Sequence, residues 1–131
     1  MAQNQVTKTT FVMIVDDDED IMSVFSASMK KAGYNVHAFV NPVTAYEHLK
    51  YSPDACSLVI SDVRMPVMNG FQLARKVKEL NPKVKVVLTS AFEISMKEFR
   101  SVLPNAKVDG FLPKPVSMAK LHELVMELSK D

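Results

Sequence analysis

The chain has 131 residues, of which 47% are hydrophobic, and its formal net charge is +1. A chain of this length and composition can form one domain with its own core, and its near-neutral charge argues against a nucleic-acid partner. Its apolar runs of about five residues are too short to span a membrane, and residues 1–10 lack the apolar segment of a signal peptide. The only cysteine, Cys56, excludes an internal disulfide and suits a reducing compartment. We therefore predict a cytoplasmic domain over residues 11–130, preceded by a polar extension over residues 1–10.

Strand and helix patterns alternate along the chain. Short apolar runs rich in β-branched residues predict five strands, at residues 11–15, 34–40, 57–61, 84–89 and 108–112. Apolar residues at helical spacing and polar capping residues predict a helix after each strand, at residues 21–32, 42–50, 70–80, 95–102 and 117–129. Five strand–helix units with short connections predict a doubly wound α/β fold, a (βα)5 sandwich with helices on both faces of a parallel sheet.

Several polar residues are explained by local structure alone. Asp18 is predicted to cap the first helix rather than to bind a ligand. Asn41 followed by Pro42 is typical of an N-cap and the first helical residue, and Gly33 is suited to the end of the first helix. Three histidines lack a second ligand at metal-binding spacing and are predicted to be surface or structural residues: His37, His48 and His122.

The residues with chemical potential lie where the predicted strands end. Asp16 and Asp17 follow the first strand, Asp62 the third, Ser90 the fourth and Lys114 the fifth. In a parallel sheet these ends share one edge, where ligands usually bind. Clustered carboxylates repel one another unless a cation binds between them, and oxygen ligands with room for waters suit Mg²⁺. A lysine and a hydroxyl can hold further phosphoryl oxygens, so the set indicates phosphate chemistry.

Four segments make the chain resemble the receiver domain of two-component response regulators, which has the chemotaxis-regulator-like fold. These segments are Val15-Asp16-Asp17, the Asp-x-x-Met-Pro-x-Met-x-Gly pattern of residues 62–70, residues 88–91 (Leu-Thr-Ser-Ala), and Lys114-Pro115. The resemblance extends from about residue 11 to residue 129. It implies a flavodoxin-like sheet with the strand order 2-1-3-4-5.

The resemblance also implies how a phosphoryl group is received. Asp62 is expected to be the phosphoacceptor, with a sensor histidine kinase or a phosphotransfer protein as the donor. Asp17, Asp62 and the backbone carbonyl of Arg64 are expected to bind Mg²⁺ directly, and Asp16 through a coordinated water. Lys114 is expected to pair with Asp62 and then with the phosphoryl group. On this basis the protein is not an enzyme beyond promoting its own phosphorylation and dephosphorylation.

A conformational switch is the second implication of the resemblance. Ser90 supplies the hydroxyl that moves to the phosphoryl group, and Phe111 occupies the position of the aromatic switch residue. The two are expected to reshape the face formed by the predicted fourth helix, the fifth strand and the last helix. A downstream protein or a second copy of the chain is expected to bind there. Five apolar residues lie on or near this face, and some of them are expected to be exposed: Met96, Phe99, Phe111, Met118 and Leu121.

Some positions depart from the commonest pattern of the family. Phe111 lacks the hydroxyl of a tyrosine, so any switch must work through burial. Pro113 removes a backbone donor and is expected to shorten the fifth strand. Arg64 and Phe92 are bulky where the family leaves a path for the hydrolytic water, which predicts a long-lived phosphoryl group. The Lys114-Pro115 bond is expected to be cis. Because the chain ends with the last helix, a single-domain regulator or an isolated receiver is expected.

Two alternatives belong to other classes. Asp16-x-Asp18 after an apolar strand also resembles the haloacid-dehalogenase-like phosphatases, but Asp20 stands where those enzymes have Thr or Val. The chain is also short for their cap and later acidic motif. The other alternative is a pseudo-receiver that binds partners without phosphorylation, which the complete set of expected site residues argues against.

Overall fold

The fold is a parallel sheet between two layers of helices. The computed structural model describes residues 10–91 and 108–128. Five strands form one sheet in the order β2-β1-β3-β4-β5, and every neighbouring pair is parallel. They are β1 (Phe11–Val15), β2 (Asn35–Phe39), β3 (Cys56–Asp62), β4 (Lys85–Ser90) and β5 (Gly110–Pro113). The predicted fold class and strand order are thereby confirmed.

The helices begin at the capping residues that the sequence offers. Within the described ranges they are α1 (Glu19–Lys31), α2 (Pro42–Tyr51), α3 (Gly70–Leu80) and α4 (Met118–Leu128). The Asp18 side chain accepts hydrogen bonds from the first turn of α1, and the Asn41 side chain does so for α2. Asn69 and Gln72 form a reciprocal capping box at α3. None of these four helices is long and apolar enough to cross a membrane, and the predicted helix over residues 95–102 lies outside the described residues.

The last strand is shorter than the sequence pattern suggests. It begins at Gly110 rather than at residue 108, because the Asp109 carboxylate, instead of a backbone carbonyl, accepts the Val86 N–H at 2.7 Å. It ends at Pro113, one residue beyond the predicted end, so the prediction that Pro113 shortens the strand is wrong. Pro113 lacks a backbone donor but is tolerated because β5 is the edge strand. The next residue, Lys114, restores the ladder by donating its backbone N–H to the Ser90 carbonyl at 2.8 Å.

Each face of the sheet has its own core. Side chains of α2 and α3 pack against one face, and side chains of α1 and α4 against the other. All five residues of β1 are buried, as expected for a central strand covered on both sides. Cys56 lies in β3, and burial raises the pKa of its thiol to about 12, which supports a structural role for this residue.

One residue of the predicted binding face is not exposed. Leu121 is completely buried between α4 and the sheet, because it lies on the apolar stripe of the helix that faces the core. It is therefore unavailable as a surface residue in this structure. Met118 and Phe111 are half-buried, whereas Met96 and Phe99 lie outside the described residues.

Candidate functional site

Three carboxylates converge at the carboxyl edge of the sheet. Asp16 and Asp17 directly follow β1, and Asp62 is the last residue of the adjacent strand β3. Asp16 and Asp62 are 2% and 8% exposed, whereas Asp17 faces solvent. One oxygen from each of the three lies within 4.8 Å of the others. The predicted cluster is therefore assembled, and its hard oxygen donors fit a cation such as Mg²⁺.

Lys114 bridges the two buried carboxylates. Its Nζ atom lies 3.1 Å from Oδ2 of Asp16 and 3.2 Å from Oδ2 of Asp62. Lys114 follows β5, so its side chain passes the end of β4 before it contacts Asp16, which follows β1, and Asp62, which ends β3. The Lys114-Pro115 peptide bond is cis, as predicted. The sequence prediction paired Lys114 with Asp62 alone, and the structure adds the contact with Asp16.

Burial and neighbouring charges shift the pKa values of Asp16 and Lys114 in opposite directions. Burial raises the pKa of Asp16, and it outweighs the Asp18 backbone N–H and the Lys114 ammonium, which both lower it. Burial alone would lower the pKa of Lys114, but the ion pairs with Asp16 and Asp62 reverse this and raise it. The surroundings of Lys114 therefore favour its charged form, whereas burial disfavours the charged form of Asp16 by more than Lys114 and the Asp18 N–H favour it.

The three consecutive aspartates have separate tasks. Oδ1 of Asp16 accepts the backbone N–H of Asp18 at 2.9 Å, which turns the chain away from β1 into α1. The side chain of Asp18 is used as the N-cap of α1, as predicted, and does not join the cluster. Asp17 between them stays exposed at the mouth of the site.

The loop after β3 is fixed closely against the sheet. The backbone N–H of Val63 donates to the Thr89 carbonyl at 2.9 Å, and that of Gly70 donates to the Val63 carbonyl at 2.8 Å. A Cβ atom at Gly70 would collide with the Asp62 carbonyl oxygen and lie 2.9 Å from Cα of Val63. Glycine is thus required here for α3 to approach the end of β3.

An open cleft adjoins the acidic cluster. It has a volume of about 640 Å³ and is lined by Asp17, by residues of the loop after β3, including Arg64, and by Phe71 of α3. Arg64 is exposed at this cleft, two residues after Asp62 in the chain. Phe92, the second residue expected to tune the phosphoryl lifetime, lies outside the described residues.

The two expected switch residues lie on neighbouring strands. Ser90 ends β4 and is 4% exposed, and its register partner on β5 is Pro113. Phe111 is half-buried, and its ring contacts that of Phe71 at a centroid distance of 6.3 Å. Ser90 and Phe111 thus lie between the carboxyl edge of the sheet and the surface of β5, and the predicted fourth helix of that face lies outside the described residues.

Sequence reasoning missed two side-chain clusters and one buried hydroxyl. His37 and His48 form a hydrogen-bonded pair at 2.8 Å beside Phe11. Lys78 and Asp109 form an ion pair at 2.8 Å between α3 and the start of β5. Oγ1 of Thr89 is buried and forms no hydrogen bond within the described part of the chain. Each depends on strand register or helix orientation, which residue spacing does not fix.

Comparisons with known proteins agree with this geometry. A family model described as the response regulator receiver domain matches residues 12–126. The response regulator receiver protein CpdR of Brucella abortus (strain 2308) is 33% identical over 120 residues, which cover 91% of this chain and 93% of that protein. The sensor kinase CckA of the same strain is 31% identical over 117 residues, which cover 89% of this chain but 12% of the kinase.

A solved structure supports the fold independently. The chemotaxis protein CheY4 of Vibrio cholerae superposes with a TM-score of 0.81, covering 92% of this chain and 98% of that one. The two chains are 24% identical, so this similarity concerns the fold alone. Together the relatives include both a protein that this chain spans almost completely and kinases of which it spans a small part.

Proposed function

Because the chain belongs to the family of response regulator receiver domains, we propose that Asp62 accepts a phosphoryl group from a phosphohistidine. The donor is a sensor histidine kinase or a phosphotransfer protein. The observation that carries this proposal is the position of Lys114, whose ammonium group contacts the buried Asp62 carboxylate inside the acidic cluster. A buried carboxylate held beside a cation at an open edge is suited to attack a phosphorus atom.

The transfer is a displacement at phosphorus. An oxygen of the Asp62 carboxylate forms a bond to phosphorus while the bond to the histidine nitrogen breaks, and the electron pair of that bond goes to the imidazole. Lys114 then directs its ammonium group to the phosphoryl oxygens and offsets their charge. The fold supplies position and electrostatics rather than covalent chemistry of its own.

Mg²⁺ completes the proposed site. Asp17, Asp62 and the backbone carbonyl of Arg64 would bind the ion directly, with Asp16 bound through a water. The support for this is the convergence of three carboxylates against one lysine. When bound, the ion neutralises the carboxylates and the incoming phosphoryl oxygens.

We further propose that phosphorylation is transmitted through Ser90 and Phe111. The Ser90 hydroxyl would move to the phosphoryl group, and Phe111 would change its burial against Phe71 and β5. A downstream protein or a second copy would then bind the face of β5 and α4, with Met118 at its edge. Arg64, and Phe92 by its place in the sequence, would slow hydrolysis by covering the phosphoryl group.

Labelling with a small phosphoryl donor tests the proposal. Wild-type protein treated with acetyl phosphate and Mg²⁺ should acquire an acid-labile, hydroxylamine-sensitive label, and Asp62→Asn should lose it entirely while keeping the fold. Asp109→Asn is a matched control in which an aspartate outside the cluster is changed, and it should retain the label. Label on Asp16 with turnover would instead indicate a phosphatase of the haloacid-dehalogenase type, for which the comparisons give no support. An unlabelled wild type would indicate a pseudo-receiver.

A further inference from the structure

Two hydroxyl groups end β4, and only one of them has a role so far. Thr89, the residue before Ser90, is 1% exposed, and its Oγ1 atom has no hydrogen-bond partner among residues 10–91 and 108–128. A buried hydroxyl without a partner destabilises a fold, whereas valine would fill the same space without this cost. The resting structure therefore gains nothing from the Thr89 hydroxyl.

The register of the sheet places this hydroxyl beside the phosphoacceptor. Thr89 is the register partner of Asp62 on β3 and of Leu112 on β5. Register partners on parallel strands project from the same face, and neighbouring strands lie about 4.8 Å apart. The residues two positions earlier, Val87 and Ile60, pack in the same core cluster, which confirms the shared face. Thr89 and Asp62 are thus lateral neighbours at the carboxyl edge.

We propose that the Thr89 hydroxyl donates a hydrogen bond to the carboxyl group of Asp62 once Asp62 is phosphorylated. In the resting state Oδ2 of Asp62 contacts Lys114 at 3.2 Å. When Lys114 turns to the phosphoryl oxygens, the acyl oxygen that is not bonded to phosphorus loses this partner. One of its lone pairs would bind Mg²⁺, and the other is left without a donor. Thr89 is the adjacent donor, and its hydroxyl has no existing hydrogen bond to residues 10–91 and 108–128 that it would have to give up. This inference rests on the proposed phosphoacceptor role of Asp62.

The hydrogen bond has a defined consequence for the lifetime of the phosphoryl group. In hydrolysis, a water oxygen bonds to phosphorus while the phosphorus–oxygen bond to Asp62 breaks. The electron pair of that bond goes to Asp62 as carboxylate, and the protons of the water pass to phosphate and solvent. Negative charge therefore grows on the acyl oxygen that Thr89 contacts, and a hydrogen bond to it strengthens along the reaction. The Thr89 hydroxyl thus shortens the lifetime, in opposition to Arg64.

The test compares variants that differ by the hydroxyl alone. The full chain is labelled with acetyl phosphate in Mg²⁺, the donor is removed, and the decay of the label is followed. Thr89→Val should decay about fivefold more slowly than wild type, as the loss of one hydrogen bond of ordinary net strength implies, and its melting temperature should not fall. Thr89→Ser should restore the faster decay. Ser26→Ala, which removes a buried hydroxyl from α1, should decay like wild type.

The outcomes separate this inference from the function on which it rests. A wild-type decay rate in Thr89→Val, or an equally slow decay in Thr89→Ser, overturns the role of the hydroxyl. If Thr89→Val does not fold, Thr89→Ser and Thr89→Ala form a second pair, and equal decay in the two overturns the inference. An unlabelled wild type overturns the proposed function and this inference together, whereas label with unchanged decay overturns the inference alone.

Discussion

Two lysines form ion pairs at opposite edges of the same sheet, and they differ in how their charge is balanced. At the amino edge, the Nζ atom of Lys78 contacts one carboxylate, that of Asp109, at 2.8 Å and the Val84 carbonyl at 2.6 Å. The same Asp109 oxygen also accepts the Val86 N–H. At the carboxyl edge, Lys114 faces a cluster of three carboxylates.

The difference separates a structural pair from a functional one. Lys78 and Asp109 carry equal and opposite charges, and each also forms a hydrogen bond with one backbone group, so the charge of the pair is balanced without a ligand. The cluster around Lys114 has two negative charges in excess, and burial raises the pKa of Asp16 within it. A site that is balanced in this way stabilises the fold, whereas one with excess charge fits the cation and the phosphoryl group that we propose for it.

The largest effect is expected from breaking the structural pair. Lys78→Met leaves the half-buried Asp109 carboxylate without its cation, which should lower the free energy of unfolding by about 2 to 3 kcal/mol. Lys114→Met should cost less, because Asp16 can relieve the repulsion by taking up a proton. Urea unfolding at neutral pH without Mg²⁺ measures both. Equal losses of unfolding free energy in Lys78→Met and Lys114→Met would contradict the distinction between the amino and carboxyl edges.

Mg²⁺ is expected to stabilise the fold by binding at the carboxyl edge of the sheet and not at the amino edge. At a concentration ten times its dissociation constant, the ion should stabilise the wild-type fold by about 1.4 kcal/mol, since it binds the folded cluster and not the unfolded chain. Thermal melts with and without Mg²⁺ at neutral pH measure this gain. Asp17→Ala should abolish it, and Asp109→Asn, the matched aspartate of the structural pair, should retain it. A full gain in Asp17→Ala would remove Asp17 from the proposed metal site.

Arg64 and Phe92 are expected to control the lifetime of the phosphoryl group. Arg64 is long and cationic and can pair with phosphoryl oxygens. The double variant Arg64→Asn with Phe92→Glu should open a path for water and hydrolyse severalfold faster, a change on the order of 1 kcal/mol in the barrier. Decay of labelled protein in Mg²⁺ after removal of the donor measures the rate. Arg75→Asn, an exposed arginine on α3, is the control, and a double variant that decays like wild type would mean that shielding does not set the lifetime.

The same contrast explains what could be predicted from the sequence. Asp16, Asp62 and Lys114 were identified because a parallel sheet brings its strand ends to one edge whatever the register. The Lys78–Asp109 pair was missed because it joins a helix to a strand start, where the rotation of α3 decides which side chains meet. Thr89 was missed because its position beside Asp62 depends on the register between β3 and β4. The order of strands and helices along the chain predicts the topology, but it does not predict which side chains of neighbouring elements are in contact.

The smallest expected effect is on the pH dependence of stability. Protonation of the His37–His48 pair and protonation of the carboxyl-edge cluster should change the stability of the fold in opposite directions. Away from the functional edge, His37 stacks on Phe11 with ring centroids 4.2 Å apart, and its Nδ1 lies 2.8 Å from Nε2 of His48. Burial, and then the charge of His48, lower the pKa of His37 below its ordinary value of 6.5. Burial raises the pKa of Asp16 above its ordinary value of 3.8.

Because the unfolded chain protonates His37 more readily than the folded protein does, stability is lost as the pH falls below about 6.5 and through the folded pKa. Asp16 acts the other way, since the folded protein takes up its proton first and gains stability as the pH falls through that raised pKa. Between pH 7.5 and 5.5, the melting temperature should therefore fall less in His37→Gln than in wild type. His122→Gln, which leaves the His37–His48 pair intact, should keep the wild-type slope. An unchanged slope in His37→Gln would mean that the histidine pair is not coupled to folding.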